Sequence, residues 1–303
     1  MSRRFTIVLA LLTLAACKGR EQAADTPPPP ADSLTVVDSF KTPESVLYDS
    51  VMDVYLVSNI NGTPLDKDDN GFISRVGTDG RVVELHWVDG ASDSVTLHAP
   101  KGMGIHGDTL FVADINVVRM FDRTTGRPLG ELAVAGSTFL NDVDVGPDGT
   151  TYVTDTGMNA DFSDSGTEAL YARAGGGAFR KFSRRGMDLG APNGIVGDGS
   201  GGAYVNSFAS GEVYHVTAQG ERHMLAKPPE GGLDGLLVFS GGNRLIATSW
   251  NDSSVIALDS GATAWRVMFS GLPNPADIGY DSRRQRVLVP LFQDNRVEIR
   301  KVR

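Results

Sequence analysis

The chain has 303 residues, of which 41% are hydrophobic, and it carries a formal net charge of −9 at pH 7. This length and composition allow a sizeable core in a single domain. The acidic balance, with no long basic run, argues against nucleic-acid binding, which requires a positively charged surface. The single cysteine, Cys17, excludes an intrachain disulfide, so side-chain packing must hold the fold together.

Residues 1–16 have the features of a bacterial lipoprotein signal peptide. Two arginines precede a largely apolar run, Phe5–Leu14, which is too short to cross a bilayer as a helix. The segment LAAC that ends at Cys17 resembles a lipobox, in which cleavage before the cysteine is coupled to its acylation. An ordinary cleaved signal with a chance cysteine is the alternative. Because the only cysteine occupies the cleavage position, we expect lipidation of Cys17 and a location in the bacterial cell envelope, in the periplasm or at the outer membrane.

Residues 17–33 form the next predicted region. They are polar, contain four consecutive prolines and show no apolar period. Such a composition is typical of a flexible, Pro-rich tether. The sequence therefore predicts a lipid-anchored domain over residues 34–303, held off the membrane by this tether.

From residue 34 onward, short segments rich in Val, Tyr, Leu, Ile and Thr alternate with turn residues and predict strands. Six of them read VYLVSN, TLFVADI, TTYVTDT, GAYVNSF, RLIATSW and RVLVPLF. A four-residue motif precedes each one, beginning at positions 43, 100, 140, 192, 233 and 275, at intervals of 57, 40, 52, 41 and 42 residues. A period in the forties with several strands per unit is typical of propeller blades. The predicted fold class is all-β, a six-bladed β-propeller.

The uneven intervals also predict where the propeller departs from a regular repeat. The longer intervals place insertions at Asn61–Gly71 in blade one and Met158–Thr167 in blade three. Both follow a second strand, so we expect them to overhang one mouth of the central channel as a lid. Leu34–Phe40 is predicted to be a strand that precedes blade one and belongs to no complete blade of its own. We expect it to form the outer strand of blade six, because an open sheet edge invites aggregation.

Polar residues recur where the innermost strands begin and where the second strands end, two positions that lie at the same face of a propeller. The first positions define an inner ring: Glu44, Lys101, Asn141, Asn193, Asp234 and Ala276. The second positions define an outer ring, predicted to bind substrate: Asn59, Asp114, Asp155, Asn206 and Ser249. Two carboxylates and two amides of the inner ring form a hard-cation site with open positions, as Ca²⁺, Mg²⁺ or Mn²⁺ prefers.

Four segments carry a resemblance to a known family. They read PESVLYD, FLNDVDVGPDGTTYV, APNGIVGDGSGGAYV and GLDGLLV, in blades one, three, four and five. In order and spacing they resemble the senescence marker protein/gluconolactonase/LRE-like family of six-bladed propellers. The resemblance implies a divalent cation held by Glu44, Asn193 and Asp234 with Asn141 nearby, and it implies that Asp234 is the general base for lactone hydrolysis.

Two positions depart from the family pattern. Phe139 stands where sugar-lactonase members have a substrate-binding arginine, which argues against a polyhydroxylated sugar lactone. Lys101 adds a cation to the inner ring. It could bind an anionic substrate group or stabilise charge in a transition state. It could instead neutralise Glu44 and Asp234 and leave the ring free of metal.

Two functions therefore stand as expectations. The first is a metal-dependent hydrolase of a lactone or other ester, with Asp234 and Lys101 as catalytic residues and Phe139 at the substrate. The expected ion is Ca²⁺, with Mg²⁺, Mn²⁺ or Zn²⁺ as alternatives. The second is a non-catalytic propeller that binds a ligand or a protein at the membrane surface. For both functions we expect the protein to be a monomer. Its expected partners are a small-molecule substrate or ligand and the membrane, which it contacts through the lipid anchor.

Overall fold

The computed structural model describes residues 33–36, 39–228 and 230–302. The predicted signal peptide over 1–16, Cys17 and all of the tether except Ser33 lie outside these residues. Within the described ranges, no helical segment has the length and apolar character that a membrane crossing requires. The described chain is built from strands, with a short 3₁₀ turn at Ser240–Gly242.

The strands form six four-stranded antiparallel sheets arranged as the blades of a propeller, which confirms the predicted fold. Strand β1 (Ser33–Val36) comes first in the chain. Blade one contains β2 (Pro43–Asp49), β3 (Val54–Asn59), β4 (Phe72–Gly77) and β5 (Val82–Asp89). Blade two contains β6 (Pro100–His106), β7 (Thr109–Asp114), β8 (Val117–Asp122) and β9 (Pro128–Ala133). Blade three contains β10 (Leu140–Val145), β11 (Thr151–Asp155), β12 (Ala169–Arg173) and β13 (Arg180–Lys181).

The second half of the chain repeats this organisation. Blade four contains β14 (Pro192–Gly197), β15 (Ala203–Ser207), β16 (Val213–Val216) and β17 (Arg222–Ala226). Blade five contains β18 (Leu233–Phe239), β19 (Arg244–Ser249), β20 (Ser254–Asp259) and β21 (Arg266–Ser270). Blade six contains β22 (Gly279–Asp281), β23 (Arg286–Leu291) and β24 (Arg296–Lys301), and β1 completes it.

The four-residue motifs mark the innermost strands, as predicted. In blades one to five, the first motif residue is also the first residue of the innermost strand. Blade six differs, because regular pairing begins only at Gly279. Its motif residue Pro275 instead makes an isolated bridge to Leu291.

The propeller closes through β1, as predicted. Strand β1 pairs antiparallel with β24, from Ser33 opposite Arg300 to Val36 opposite Val297. The described strand covers Ser33–Val36, and Ser39 and Phe40, which the prediction included, are not part of a strand. Residues 37–38 of the predicted strand lie outside the described residues. Phe40 is 1% exposed and belongs to the apolar cluster that joins blades one and six. The segment after β1 therefore stabilises the fold through a core side chain as well as through strand pairing.

Apolar side chains from facing blades form the core between them. Leu56 and Val88 of blade one share a cluster with Val112 and Phe121 of blade two. Similar clusters lie between the other blades. Because each blade is buried on both faces, its inner strands consist of nearly continuous apolar runs, which is why they could be recognised in the sequence.

Candidate functional site in the central channel

A β-bulge interrupts the innermost strand of blades one to five at the motif. In blade three, Leu140 pairs with Asp155 and the next pair is Val143 with Val153, so the inner strand has an extra residue. Equivalent register shifts occur in blades one, two, four and five. A bulge bends its strand and re-aims a side chain. Each bulge contains the second motif residue, which is the inner-ring residue of that blade.

Side chains of the second strands stabilise four of these bulges by accepting a hydrogen bond from a bulge N–H group. The pairs are Ser45 N to Ser58 Oγ at 2.9 Å, Asp142 N to Thr154 Oγ1 at 3.0 Å, Gly194 N to Asn206 Oδ1 at 2.8 Å, and Gly235 N to Thr248 Oγ1 at 2.7 Å. These bonds satisfy N–H groups that strand pairing leaves free at the bulge.

A glycine after the inner-ring residue lets neighbouring innermost strands approach closely. A Cβ atom at Gly194 would lie 2.7 Å from the carbonyl oxygen of Asp234 in the next blade, which a side chain cannot tolerate. Gly194 is therefore required for the close backbone approach between blades four and five. This approach brings Asn193 and Asp234 to the same cavity.

The inner ring lines one cavity of about 410 Å³. Five of its six members contribute to the lining: Glu44, Lys101, Asn141, Asn193 and Asp234. All five are at most 6% exposed, and Ala276 does not reach the cavity. Both predicted insertions overhang this mouth, since Pro64 of the first and Met158 and Phe162 of the second also line the cavity.

Three oxygen atoms of the inner ring are buried without a hydrogen-bond donor. They are Glu44 Oε2, Asn193 Oδ1 and Asp234 Oδ1, from blades one, four and five. Asn141 donates from Nδ2 to Thr156 Oγ1 at 3.1 Å, which leaves its Oδ1 as the atom available to a ligand. Burying an acceptor without a partner is unfavourable. Unpartnered oxygens that converge from several blades are suited to binding a cation.

The electrostatics of the cavity also favour a cation. Burial raises the pKa of Glu44 well above its ordinary value, and the charges of Asp234 and Asp277 raise it further, while Lys101 opposes this. Burial raises the pKa of Asp234 to about 8, and the charge of Asp142 adds to this. A bound cation would lower the pKa of both carboxyls and stabilise their ionised forms.

The donor set indicates which ions fit. No group of three or more His, Cys, Asp or Glu side chains in the described part of the chain is arranged to hold a metal ion. The candidate ligands are instead two carboxylates and two amides, all of them oxygen donors. Oxygen-only sites suit Ca²⁺, Mg²⁺ and Mn²⁺, whereas Zn²⁺ usually has histidine or cysteine ligands. The residues present therefore fit a hard divalent cation.

Lys101 is buried and is held mainly by backbone carbonyl groups. Its Nζ donates to Pro64 O at 2.9 Å and to Ala99 O at 3.0 Å, and it lies 4.9 Å from the ring centroid of Phe139. Burial lowers its pKa to about 8, against the opposing charges of Glu44 and Asp114. Among the described residues, Lys101 makes no salt bridge to either inner-ring carboxylate. Through Pro64, Lys101 also contacts the first insertion.

The outer-ring residues were predicted to face the channel mouth, but they are buried outside the cavity lining. All five are at most 1% exposed. Four accept hydrogen bonds from backbone N–H groups: Asn59 Oδ1 from Lys41 at 3.0 Å, Asp114 Oδ1 from Ala99 at 2.8 Å, Asp155 Oδ1 from Phe139 at 2.9 Å, and Asn206 Oδ1 from Gly194 at 2.8 Å. Ser249 donates to Gly231 O at 3.0 Å. Asn59, Asp114, Asp155 and Asn206 therefore anchor the segments beside the innermost strands. Substrate binding by these residues stays a prediction.

The residues that line the cavity beside the inner ring lie directly after the second strands. In blades one, three, four, five and six, the residue directly after the second strand reaches the cavity: Ile60, Thr156, Phe208, Trp250 and Phe292. In blades one, three and five this residue comes one position after the outer-ring residue, and successive side chains of an extended chain point in opposite directions. In blade four it comes two positions after Asn206. Phe139, which the sequence places at the substrate, also lines the cavity.

A second cavity, of about 250 Å³, also lies between the innermost strands and was not predicted. Its lining includes Ser45, Asp142, Asp144 and Asp277. Ser45 donates to Asp277 at 2.5 Å, while Asp142 and Asp144 each accept a backbone N–H bond at 2.8 Å. Burial raises the pKa of Asp277 to about 7. The channel therefore holds acidic residues beyond those of the inner ring.

Solved structures with the same fold include enzymes of two kinds. A gluconolactonase from Xanthomonas campestris is 17% identical, with a TM-score of 0.67 over 88% of each chain. A streptogramin B lyase is 12% identical, with a TM-score of 0.61 over 88% of this chain and 96% of that chain. An inactive virginiamycin B lyase from Staphylococcus aureus, solved with quinupristin, is 14% identical, with a TM-score of 0.58 over 89% of this chain and 98% of that chain.

At these identities the likeness establishes the fold. The chain is a six-bladed β-propeller of the kind found in gluconolactonase and virginiamycin B lyase, so the predicted gluconolactonase-like architecture is confirmed. No family model matches the sequence, and no curated protein matches it either.

Proposed function

We propose that this propeller binds a divalent cation, Ca²⁺ foremost, and hydrolyses a lactone or another ester. The proposed ligands are Glu44, Asn141, Asn193 and Asp234. The observation that carries this proposal is the set of three buried oxygens without donors, which face one cavity from three blades. The gluconolactonase-like fold supports it, because propellers of this architecture include a hydrolase of the same chemical class.

The residues of the cavity have distinct parts in such a reaction. When bound, the cation supplies Lewis acidity toward a carbonyl oxygen. Asp234 accepts the proton of the water that attacks the carbonyl carbon. The acyl–oxygen bond then breaks, and the proton passes to the leaving oxygen. Pro64 and Met158 of the two insertions line the same cavity, where they would shield the reaction from bulk water.

The second candidate is a propeller that binds a small molecule without converting it. Phe139 favours it, because this side chain presents an aromatic ring to the cavity where a sugar lactonase uses an arginine. A pocket with apolar walls and few polar groups is equally suited to binding alone. The two candidates differ in one measurable property, which is turnover.

We expect the purified propeller to contain bound Ca²⁺, Mg²⁺ or Mn²⁺ and to hydrolyse members of a panel of lactones and aryl esters. A chelator should lower the rate by about 100-fold or more, since Lewis-acid assistance contributes several kcal/mol to the transition state. Restoring the ion should restore the rate. Saturable binding of panel members without hydrolysis in the metal-loaded protein would support the binding module instead.

We also propose that the protein is a lipoprotein of the bacterial cell envelope, acylated at Cys17. The support is the sequence alone: a short apolar leader, a lipobox-like LAAC segment and the single cysteine at the cleavage position. Two or more acyl chains give stable membrane anchoring, because each buried CH₂ contributes about 0.8 kcal/mol.

Replacing this cysteine tests the anchor. Cys17→Ala should abolish acylation and move the protein from the membrane fraction to the soluble fraction, or leave an uncleaved precursor. Membrane fractionation and mass measurement of the mature chain distinguish these results. If the variant is processed like the wild type and partitions with membranes as strongly, the lipid-anchor proposal is wrong.

A further inference from the structure

We propose that the substrate is a lactone or ester with an apolar alkyl or aryl group, and that an aromatic wall formed by Phe208, Trp250 and Phe292 binds this group. The inference rests on the proposed function and specifies its substrate class. The cavity lining supports it, because the polar groups belong mainly to the inner ring and the rest of the lining is mainly apolar.

The aromatic wall is a continuous surface built from blades four, five and six. The ring centroids of Phe208 and Trp250 are 5.5 Å apart, in an edge-to-face arrangement, and those of Trp250 and Phe292 are 5.3 Å apart. Each residue directly follows the second strand of its blade. Because equivalent positions of three successive blades supply the wall, its shape depends on the strand framework and not on a long loop.

Other apolar side chains complete the sides of the cavity. Ile60 and Phe139 line it from blade one and from the segment before blade three, and Met158 and Phe162 line it from the second insertion. Phe162 is 56% exposed, so an aromatic ring stands at the mouth, partly in solvent. A cavity of about 410 Å³ with such a lining is large enough for a small organic molecule.

The polar groups of the cavity are few, and several are already engaged. Lys101 Nζ donates to two backbone carbonyls, at 2.9 and 3.0 Å. Thr156 Oγ1 donates to Pro192 O at 2.9 Å and accepts from Asn141. The open acceptors belong to the proposed cation ligands. Among the three wall residues, the indole N–H of Trp250 is the one open donor. A substrate with several hydroxyl groups would therefore bury most of them against apolar side chains without hydrogen-bond partners, which is unfavourable.

Three lactones with the same six-membered ring test this inference in the Ca²⁺-loaded protein. They are δ-decalactone, which carries a pentyl chain, unsubstituted δ-valerolactone, and glucono-δ-lactone, which carries hydroxyl groups. We expect kcat/KM for δ-decalactone to exceed that for δ-valerolactone by about 10-fold or more, because buried methylene groups contribute this much to discrimination. Glucono-δ-lactone should be the poorest of the three. Equal or higher kcat/KM for glucono-δ-lactone would overturn the inference.

A wall variant links this preference to a residue. Phe292→Ala should lower the ratio of kcat/KM for δ-decalactone over δ-valerolactone by about 10-fold, as a large apolar contact is lost. The matched control is Leu129→Ala, because Leu129 is 42% exposed on β9, away from the cavity, and its loss should leave the ratio unchanged. If Phe292→Ala does not fold, the same ratio is measured for Phe292→Leu. The wild-type ranking of the three lactones tests the substrate class independently of either variant. An unchanged ratio in a folded Phe292 variant would contradict the role of the wall.

The failure of the inference and the failure of the proposed function can be distinguished. If the metal-loaded protein hydrolyses none of the three lactones, hydrolysis is wrong for this substrate class. Binding is then measured by calorimetry with the same three compounds. Tighter binding of δ-decalactone than of glucono-δ-lactone supports an apolar ligand for the cavity. The opposite order, or no binding of δ-decalactone, rejects it.

Discussion

Calcium should raise the melting temperature of the wild-type protein and leave that of Asp234→Ala unchanged. Asp234 contributes a buried carboxylate whose Oδ1 has no donor, so its removal takes away both a ligand atom and a negative charge. An ion present at about 100 times its Kd stabilises the folded state by about 2.7 kcal/mol. For a domain of this size, such a gain corresponds to a shift of roughly 5–10 °C in a thermal melt.

The calcium effect should increase with pH. The pKa of Asp234 is about 8 in the folded protein, above its ordinary value of 3.8, so the metal-free folded state binds a proton more tightly than the unfolded state does. The associated stability is fully present below about pH 4 and is lost as the pH rises through 8. The melting temperature of metal-free wild type should fall across this interval, and added Ca²⁺ should reduce that fall.

Two control variants make the calcium experiment decisive. Asp161→Asn removes a carboxylate from the exposed second insertion, outside the cavity lining, and should keep the calcium response. Lys101→Met should keep or strengthen calcium binding, because it removes a positive charge, and should loosen the first insertion at Pro64. If calorimetry detects no metal binding to wild type while Lys101→Met is strongly destabilising, the inner ring is a structural plug, and the hydrolase proposal loses its main support.

Deleting residues 34–40 should destabilise the propeller far more than deleting residues 18–32. The deletion removes all of β1 except Ser33 and thereby its pairing with β24, in which each backbone hydrogen bond contributes roughly 1 kcal/mol. It also removes Phe40, a buried core side chain, and losses of this kind cost about 3–5 kcal/mol. Together these changes should lower the melting temperature by roughly 10–20 °C.

A single substitution separates the two contributions to closure. Phe40→Ala keeps β1 and removes only the side chain that packs with Val46, Tyr55 and Ile299. Its melting temperature should lie between those of the two deletions. Equal melting temperatures for the deletions of 34–40 and 18–32 would show that β1 does not contribute to the stability of the closed propeller.

The comparison of Asn206 with Phe208 shows how far the sequence could predict the site. Both belong to the segment GAYVNSF, and the prediction assigned the cavity to Asn206 because amide oxygens suit polar ligands. In the structure, Asn206 accepts from Gly194 N and donates to Gly235 O, so it stabilises backbone groups, while Phe208 lines the cavity. Residue type was a weak guide, because backbone N–H groups beside a bulge require acceptors as much as a ligand does.

The sequence by itself determined the all-β class, the six blades, both insertions and the inner ring. These features are local or periodic: apolar runs of strand length, turn residues between them and a motif that repeats in every blade. Only the tertiary structure decided which side chains face the cavity, since this depends on bulges that shift the strand register and on backbone approaches such as the one at Gly194. The apolar character of the cavity sides and the contact of Lys101 with Pro64 were decided in the same way. Both depend on residues far apart in the chain, whose distances are set by the packing of neighbouring blades.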